Sequence, residues 1–218
     1  MPEAVFFDLD GTLADTAPDL AGTLNRLKTE HGLEPSPFEQ LRPQVSNGVR
    51  GLLHVGFGIT PDAPAYTGLA QRFLSLYAES LCVETTLFPG MLELLDQLDE
   101  RGVVWGVVTN KAERLARPLV GALGLAQRSL CIIGGDTAAR AKPFPDPLLL
   151  ACNMAGIAPS SSLYVGDDIR DIVAGKAAGM RTVAAAYGYL GSHSPISAWN
   201  ADMIIDHPLQ ILQLLENI

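Results

Sequence analysis

Short apolar runs alternate with helix-like stretches along most of this chain, and this alternation constrains the fold more than any other feature. The apolar runs predict buried strands at residues 5–7, 103–108, 130–133, 163–165, 182–185 and 203–205. Strands separated by helices are typical of parallel β-α units, and strands that are apolar at nearly every position are buried on both faces. The sequence therefore predicts an α/β fold with a Rossmann-like, doubly wound parallel sheet.

A block of helical patterns at residues 16–85 interrupts the alternation directly after the first predicted strand. The block contains no convincing alternating strand pattern. We interpret it as a small α-helical cap domain that is inserted into a core domain made of residues 1–15 and 86–218. The junctions between the two domains are predicted near Asp15-Thr16 and near Phe88-Pro89-Gly90.

The composition limits the partners that this protein can have. Hydrophobic residues make up 48% of the 218 residues and charged residues 18%, which is enough for a packed core. The formal net charge of −9 argues against nucleic acid as a partner, and no apolar window is long enough to predict a membrane span. Because the protein is acidic overall, an anionic substrate would need a local positive charge at its binding site.

The three cysteines, Cys82, Cys131 and Cys152, lie among apolar residues and lack the spacing of metal ligands. They predict buried, reduced thiols, which are typical of a cytoplasmic protein. The first residues show no secretory signal pattern, which favours the same location. The sequence leaves the oligomeric state open.

Polar residues follow several of the predicted strands at the point where each strand ends. Ligands of open parallel sheets bind beyond the carboxyl ends of the strands, so these residues are expected to converge on one edge. The set consists of Asp8, Asp10, Thr12, Thr109, Asn110, Lys111, Asp167, Asp168 and Asp171, together with Lys142 from the loop before a predicted helix. The convergence of these residues on one edge indicates a functional site more strongly than any single residue does.

The residue types in this set fit a metal-assisted reaction of a phosphate ester. Asp8, Asp10 and Asp167 offer the hard oxygen ligands that Mg²⁺ prefers. Thr109 and the backbone N–H groups after it are predicted to form a phosphate cradle at a helix N-terminus. Lys142 supplies the positive charge that an acidic protein needs for an anionic substrate.

The motifs resemble those of the haloacid dehalogenase superfamily, in particular its Mg²⁺-dependent phosphatases with a helical cap inserted after the first motif. Their order and placement cover nearly the whole chain. The matching residues are Asp8-Leu9-Asp10-Gly11-Thr12-Leu13, Thr109-Asn110-Lys111, Lys142-Pro143 and Gly166-Asp167-Asp168-Ile169-Arg170-Asp171. Within the superfamily the chain is most similar to the phosphoglycolate phosphatases and the N-acetylmuramic acid 6-phosphate phosphatases.

The resemblance implies a role for each matching residue. Asp8 attacks phosphorus and forms an aspartyl-phosphate, and Asp10 protonates the leaving oxygen and then activates water. Asp8, the backbone carbonyl of Asp10, and Asp167 hold Mg²⁺, while Asp168 and Asp171 support these ligands from outside. The groups that bind the transferring phosphoryl group are those of Thr109, Asn110 and Lys142.

The predicted cap would exclude water and select the substrate. The segment from Ser46 to Arg50 is the candidate for this role, with Asn47, Gly48 and Arg50 as substrate-binding residues. Arg50 or Arg42 could pair with a substrate carboxylate through its guanidinium fork. Both 2-phosphoglycolate and N-acetylmuramic acid 6-phosphate carry a carboxylate, so this feature leaves both substrates open.

The sequence thus predicts a phosphomonoesterase that acts on a small phosphorylated metabolite, with 2-phosphoglycolate as the first candidate and N-acetylmuramic acid 6-phosphate as the alternative. A phosphosugar mutase of the same superfamily and a non-enzymatic phospho-acceptor module are further alternatives. The large insertion and the position of Asp10 argue against the acceptor module. Dehalogenase chemistry is disfavoured because it has no use for metal ligands such as Asp10 and Asp167.

Overall fold

The fold was derived from a computed structural model of the chain, which describes residues 2–191 and 194–216. In this part of the chain, six parallel strands form a sheet in the order β5-β4-β1-β6-β7-β8, and two short strands form a separate antiparallel ribbon. The strands are β1 Ala4–Phe7, β2 Ala14–Asp15, β3 Thr86–Leu87, β4 Val104–Val108, β5 Ile132–Ile133, β6 Ser162–Gly166, β7 Arg181–Ala185 and β8 Met203–Ile205.

Helices cover the sheet and form the block between β2 and β3. Those of the block are α1 Ala17–Glu30, α2 Phe38–Leu41, α3 Gly48–Phe57 and α4 Tyr66–Glu79. Those that follow β3 are α5 Met91–Glu100, α6 Glu113–Ala122, α7 Asp146–Ala155, α8 Ile169–Ala178 and α9 Ile211–Glu216. None of the helices in the described residues is long and apolar enough to cross a membrane.

The central strand β1 explains why the strands read as continuous apolar runs. Val5 and Phe7 pack into the hydrophobic cluster on one face of the sheet, and Ala4 and Phe6 pack into the cluster on the other face. Successive side chains of a strand point to opposite faces, so a strand covered on both sides is apolar at every position. The predicted α/β fold with a doubly wound parallel sheet is confirmed.

The chain path creates a crevice at the carboxyl end of β1. Strands β4 and β5 extend the sheet on one side of β1, and the chain then crosses to β6 on the other side. Ligands of open α/β sheets bind at such a reversal of strand order. Asp8 follows β1 and Asp167 follows β6, so the topology alone places both acids at this crevice.

The sequence prediction missed the two-stranded ribbon. Strands β2 and β3 pair antiparallel, with Ala14 opposite Leu87 and Asp15 opposite Thr86. Each strand has two residues, which is too short for a visible alternation pattern. The ribbon joins the two segments that connect the helical block to the sheet.

One strand boundary and the burial of one cysteine also differ from the prediction. The strand predicted at 130–133 is confined to Ile132–Ile133 at the edge of the sheet, although Leu130 and Cys131 also form backbone hydrogen bonds to β4. Of the three free cysteines, Cys131 and Cys152 are buried as predicted, whereas Cys82 is only half-buried. Cys82 follows the end of α4 in a turn with a positive φ of 62°, where burial is incomplete.

A buried carboxylate that the sequence did not reveal fixes the end of the helical block. Asp19, in the first turn of α1, accepts hydrogen bonds from the backbone N–H groups of Val83, Glu84 and Thr85 at 2.9–3.0 Å. It also accepts one from the Thr85 hydroxyl at 2.6 Å. These bonds hold the segment that enters β3 against the segment that leaves β2.

Asp19→Ala is expected to lower the free energy of unfolding by about 2–4 kcal/mol, because the N–H groups of Val83, Glu84 and Thr85 lose their charged acceptor. Urea unfolding of the purified variant measures this change. Glu34→Ala, at an exposed position of the same helical block, is the matched control and should change stability by less than about 0.5 kcal/mol. Equal stabilities of the two variants would contradict the structural role of Asp19.

Candidate active site

Three carboxylates meet at the crevice between β1 and β6. Asp8 follows β1, Asp167 follows β6, and Asp171 lies in the first turn of α8. One carboxylate oxygen of each lies within 4.8 Å of those of the other two. The resemblance implies that Asp171 supports the metal ligands from outside, and in the structure the turn that begins α8 brings its carboxylate within the same 4.8 Å of the other two.

The position of Asp167 is set by the loops around it. Its two carboxylate oxygens accept hydrogen bonds from the Thr12 hydroxyl at 2.8 Å and from the Tyr189 N–H at 2.9 Å. Gly11, at φ +86°, packs so closely that a Cβ atom there would lie 2.2 Å from Asp167 Oδ2. Gly188 packs with equal closeness, since its Cβ would lie 2.3 Å from the Cβ of Asp167. Both glycines are therefore required by the placement of this acid.

Lys142 is the cation of the cluster. Its buried Nζ lies 2.7 Å from Asp171 Oδ1 and 3.0 Å from Asp8 Oδ1. The same Nζ donates hydrogen bonds to the Tyr164 hydroxyl at 2.7 Å and to the Val108 carbonyl at 3.1 Å. Burial disfavours the ammonium, but the charges of Asp171 and Asp8 outweigh burial and raise the pKa of Lys142. Lys142 therefore stays charged.

The cluster carries more negative charge than Lys142 can balance. Three carboxylates face one ammonium, which leaves an excess of two negative charges when all are ionised. Burial, and then the charges of the neighbouring acids, raise the pKa of Asp167 well above its usual range. Burial also raises the pKa of Asp171 despite its contact with Lys142. A divalent cation bound by these oxygens would remove the excess, so the donor set fits a metal ion.

The Asp10 side chain lies apart from this cluster. Its Oδ1 accepts a hydrogen bond from the Thr16 hydroxyl at 2.6 Å and pairs with Lys111 Nζ at 2.8 Å. Lys111 is nearly buried, with 7% of its side chain exposed. Burial disfavours its charge, but Asp10 outweighs burial and raises the pKa of Lys111. The sequence placed Lys111 at the edge of the sheet but gave it no role.

The loop after β4 differs from the predicted phosphate cradle. Helix α6 begins only at Glu113, so Thr109 is not at a helix N-terminus. The buried Thr109 lines the site, and its Oγ1 accepts a hydrogen bond from the Lys111 N–H at 3.2 Å. The Asn110 side chain is bonded to the backbone of Lys142, donating to its carbonyl at 2.9 Å and accepting from its N–H at 3.0 Å. Asn110 therefore braces the loop that carries Lys142.

Asp168 turns away from the three-carboxylate cluster. Its side chain caps α8 by accepting a hydrogen bond from the Arg170 N–H at 2.9 Å, and it forms an ion pair with the Arg170 guanidinium at 2.7 Å. The guanidinium also donates to the backbone carbonyl of Ser46, 124 residues away in the sequence. Asp168 thus orients an arginine that links α8 to the helical block.

The helical block and the edge of the sheet enclose a cavity of about 330 Å³. From the block come Ser46, Asn47, Gly48 and Val49, together with apolar side chains of α1 and α4. The acids, Lys111 and Lys142 line the opposite side. Two of the predicted substrate-binding residues, Asn47 and Gly48, therefore lie at the cavity.

The two arginines that were considered for a substrate carboxylate lie elsewhere. Arg50 is exposed on α3 and is not among the cavity-lining residues, so its role in binding stays a prediction that this conformation does not support. Arg42 pairs with Asp15 at 2.8 Å and lies over the Tyr189 ring, 5.0 Å from its centre. Arg42 therefore braces the ribbon rather than the cavity.

Comparisons with known proteins agree with the α/β fold and with the group of acids and lysines at the carboxyl edge of the sheet. A family model described as haloacid dehalogenase-like hydrolase matches residues 5–185. The chain is 47% identical to a phosphoglycolate phosphatase of Xanthomonas campestris pv. campestris over 211 residues, which cover 96% of this chain and 95% of that relative. It is 42% identical to an N-acetylmuramic acid 6-phosphate phosphatase of Pseudomonas aeruginosa over 214 residues, which cover 98% of this chain and 95% of that relative.

A solved structure shows the same architecture. It is described as a predicted phosphoglycolate phosphatase from Haemophilus somnus and matches with a TM-score of 0.86 at 30% identity, covering 98% of this chain and 97% of that chain. The chain belongs to the haloacid dehalogenase-like hydrolase family. Its phosphatase relatives support one class of enzyme within that family, the phosphoric monoester hydrolases.

Proposed function

We propose that this protein hydrolyses a small phosphate monoester through an aspartyl-phosphate at Asp8. The observation that carries the proposal is that Asp8 and Asp10, only two positions apart in the sequence, have side chains in different surroundings. Asp8 lies with Asp167, Asp171 and Lys142, whereas the Asp10 side chain is held by Thr16 and Lys111. Two carboxylates in different surroundings can take different roles in one reaction.

In the first step, a carboxylate oxygen of Asp8 attacks phosphorus, and the bond between phosphorus and the ester oxygen breaks. Asp10 gives its proton to the leaving oxygen, which departs as an alcohol. In the second step, water attacks the phosphorus of the aspartyl-phosphate while Asp10 takes a proton from it. Inorganic phosphate leaves, and the Asp8 carboxylate is regenerated.

Mg²⁺ is the proposed metal, held by Asp8, Asp167, Asp171 and the backbone carbonyl of Asp10. When bound, it offsets the charge of the acids and of the incoming phosphate. Lys142 contributes a fixed positive charge next to Asp8, where charge develops on the transferring group. The hydroxyl of Thr109, which lines the cavity, is proposed to donate to a phosphoryl oxygen, and Asn110 holds the Lys142 loop in position.

Residues 16–85 are proposed to act as the cap over a core of residues 1–15 and 86–218. Two observations support this division. The cavity is enclosed by side chains from both parts, and the ribbon of β2 and β3 joins the two connecting segments. The link from Arg170 to the Ser46 carbonyl holds the cap over the site and thereby helps to exclude water from the aspartyl-phosphate.

The proposed substrate is 2-phosphoglycolate, with N-acetylmuramic acid 6-phosphate as the second candidate. Relatives of both kinds match nearly the whole chain, and the identity is 47% for the first kind and 42% for the second. We also propose a cytoplasmic location, because the three cysteines are free thiols.

A panel assay tests this function. With Mg²⁺ present, the protein is expected to release phosphate from 2-phosphoglycolate faster than from N-acetylmuramic acid 6-phosphate or a hexose phosphate. Chelation of the metal should abolish the release, and added Mg²⁺ should restore it. Without the metal, Lys142 alone cannot offset the negative charge of Asp8, Asp167 and Asp171. The products are also examined for isomerised sugar phosphate, which a mutase would form. A lack of phosphate release from every ester would refute the proposal.

A further inference from the structure

Two hydroxyl groups at the cavity lack hydrogen-bond partners. In residues 2–191 and 194–216, the buried side-chain polar atoms without a partner are Ser46 Oγ and the hydroxyl oxygen of Tyr77. Both residues line the cavity described above. A buried, unsatisfied polar group costs about 1–3 kcal/mol. Two such groups at one cavity are therefore available to hydrogen-bond a ligand that enters it.

Tyr77 is the stronger of the two observations. It lies on α4, its side chain is 1% exposed, and Lys111 Nζ lies 4.5 Å from the centre of its ring. Burial raises the pKa of Tyr77 to about 12, so the phenol keeps its proton and can donate. A tyrosine of the helical block and a lysine of the sheet edge thus adjoin each other at the cavity.

Lys111 can bind a second anionic group besides Asp10. An ammonium has three N–H donors, and the structure gives this one a carboxylate partner in Asp10 at 2.8 Å. The same Nζ lies 4.5 Å from the centre of the Tyr77 ring, on the side chain whose hydroxyl has no partner. The combination of a buried cation and a neutral hydroxyl donor is suited to a carboxylate, which accepts hydrogen bonds at both oxygens.

The distance between Lys111 and Asp10 limits where that carboxylate can be in the substrate. In the proposed reaction, Asp10 is within hydrogen-bond reach of the leaving oxygen, and Lys111 Nζ is 2.8 Å from Asp10. A carboxylate bound by Lys111 must therefore lie close to the ester oxygen. In 2-phosphoglycolate a single carbon separates the two groups, whereas in N-acetylmuramic acid 6-phosphate the sugar ring lies between them.

We propose that the Tyr77 hydroxyl and the Lys111 ammonium bind the carboxylate of a short phosphorylated 2-hydroxy acid and thereby set the specificity of the enzyme. This inference rests on the proposed phosphatase function and names the substrate class of the same site. Ser46 Oγ is a further donor for the same ligand.

The test compares two esters that differ in the carboxylate, 2-phosphoglycolate and ethyl phosphate. Tyr77→Phe removes the hydroxyl and keeps the ring. For this variant, kcat/KM for 2-phosphoglycolate is expected to fall roughly tenfold to a hundredfold, mainly through KM, which is the range for a hydrogen bond to a charged group. The loss with ethyl phosphate should be at least several-fold smaller, so the preference for the acid falls. Tyr66→Phe, on the same helix and outside the cavity lining, is the matched control.

Lys111→Gln provides a second variant, which is expected to reduce the preference for 2-phosphoglycolate further. Titration calorimetry of Asp8→Asn, alone and combined with Tyr77→Phe, measures binding of 2-phosphoglycolate without turnover, and the double variant should bind more weakly.

Equal losses of kcat/KM with both esters in both Tyr77→Phe and Lys111→Gln would show that these residues act only on Asp10 or on folding, and this would overturn the inference. Faster turnover of N-acetylmuramic acid 6-phosphate than of 2-phosphoglycolate would also overturn it and leave the phosphatase function intact. Failure with every ester would instead refute the proposed function itself.

Discussion

Asp8→Asn is expected to lower phosphate release by about 10⁴-fold or more, which is the scale of loss when the nucleophile of a covalent mechanism is removed. The variant should stay folded, because an asparagine has nearly the same shape. Its side-chain oxygen can keep the hydrogen bond from the Leu9 N–H and the contact with Lys142 Nζ that Asp8 makes at 2.8 Å and 3.0 Å. The loss should appear in kcat, since an amide cannot form the aspartyl-phosphate.

Phosphate release under saturating substrate, together with thermal unfolding, measures this effect. Asp96→Asn, at an exposed position on α5, is the matched control, and it should retain normal turnover. Acid-quenched wild-type protein should also carry a phosphoryl group that hydroxylamine removes, whereas Asp8→Asn should not. Turnover of Asp8→Asn within tenfold of the wild type would exclude Asp8 as the nucleophile.

Lys142→Met is the second change with a large expected effect, and it acts on both stability and activity. The substitution leaves the carboxylates of Asp8, Asp167 and Asp171 buried without their cation. Removal of one partner from a buried ion pair costs about 3–5 kcal/mol, so the free energy of unfolding should fall by that amount in the absence of metal. Phosphate release should fall about 10³-fold, since a fixed charge beside the transferring group is lost.

The stability loss should depend on pH. Burial raises the pKa of Asp171 above its unfolded value, so ionisation of this group destabilises the fold as the pH rises through the raised pKa. Lys142 opposes this effect only while Asp171 is ionised. The difference between Lys142→Met and the wild type should therefore be larger at about pH 8 than at about pH 5.

Urea unfolding at the two pH values, with and without Mg²⁺, measures these effects. Mg²⁺ should stabilise Lys142→Met more than the wild type, because the metal then supplies all of the charge compensation. Lys176→Met, at an exposed position of α8, should behave like the wild type in each condition. A pH-independent loss, or equal stabilisation of both proteins by Mg²⁺, would contradict the charge balance derived for this site.

Local patterns were enough to predict the sheet and much of its edge. The apolar run before Asp8 and the run before Asp167 each identified a buried strand with an acid at its end. Because parallel strands share one carboxyl edge, strand order did not have to be known to predict that the acids meet. Lys142 was included for the same reason, since its loop precedes a helix on that edge.

Contacts that depend on how distant segments approach each other could not be predicted in this way. Lys111 and Asp10 are 101 residues apart, and nothing in either neighbourhood signals their ion pair. Arg42 looked available for a substrate, yet it is used by Asp15. The β2–β3 ribbon escaped notice because two-residue strands carry no periodicity.

The sequence by itself determined the order of strands and helices along the chain, the helical insertion after β1, and the acids at the ends of β1 and β6. These features could be predicted because a strand that is buried on both faces of a parallel sheet is apolar at nearly every position. Only the tertiary structure decided that Asp171 joins Asp8 and Asp167 while the Asp10 side chain turns to Lys111. The physical reason is the balance of charge. Each buried carboxylate needs a donor or a cation within about 3 Å, and the packing of distant segments decides which one it receives.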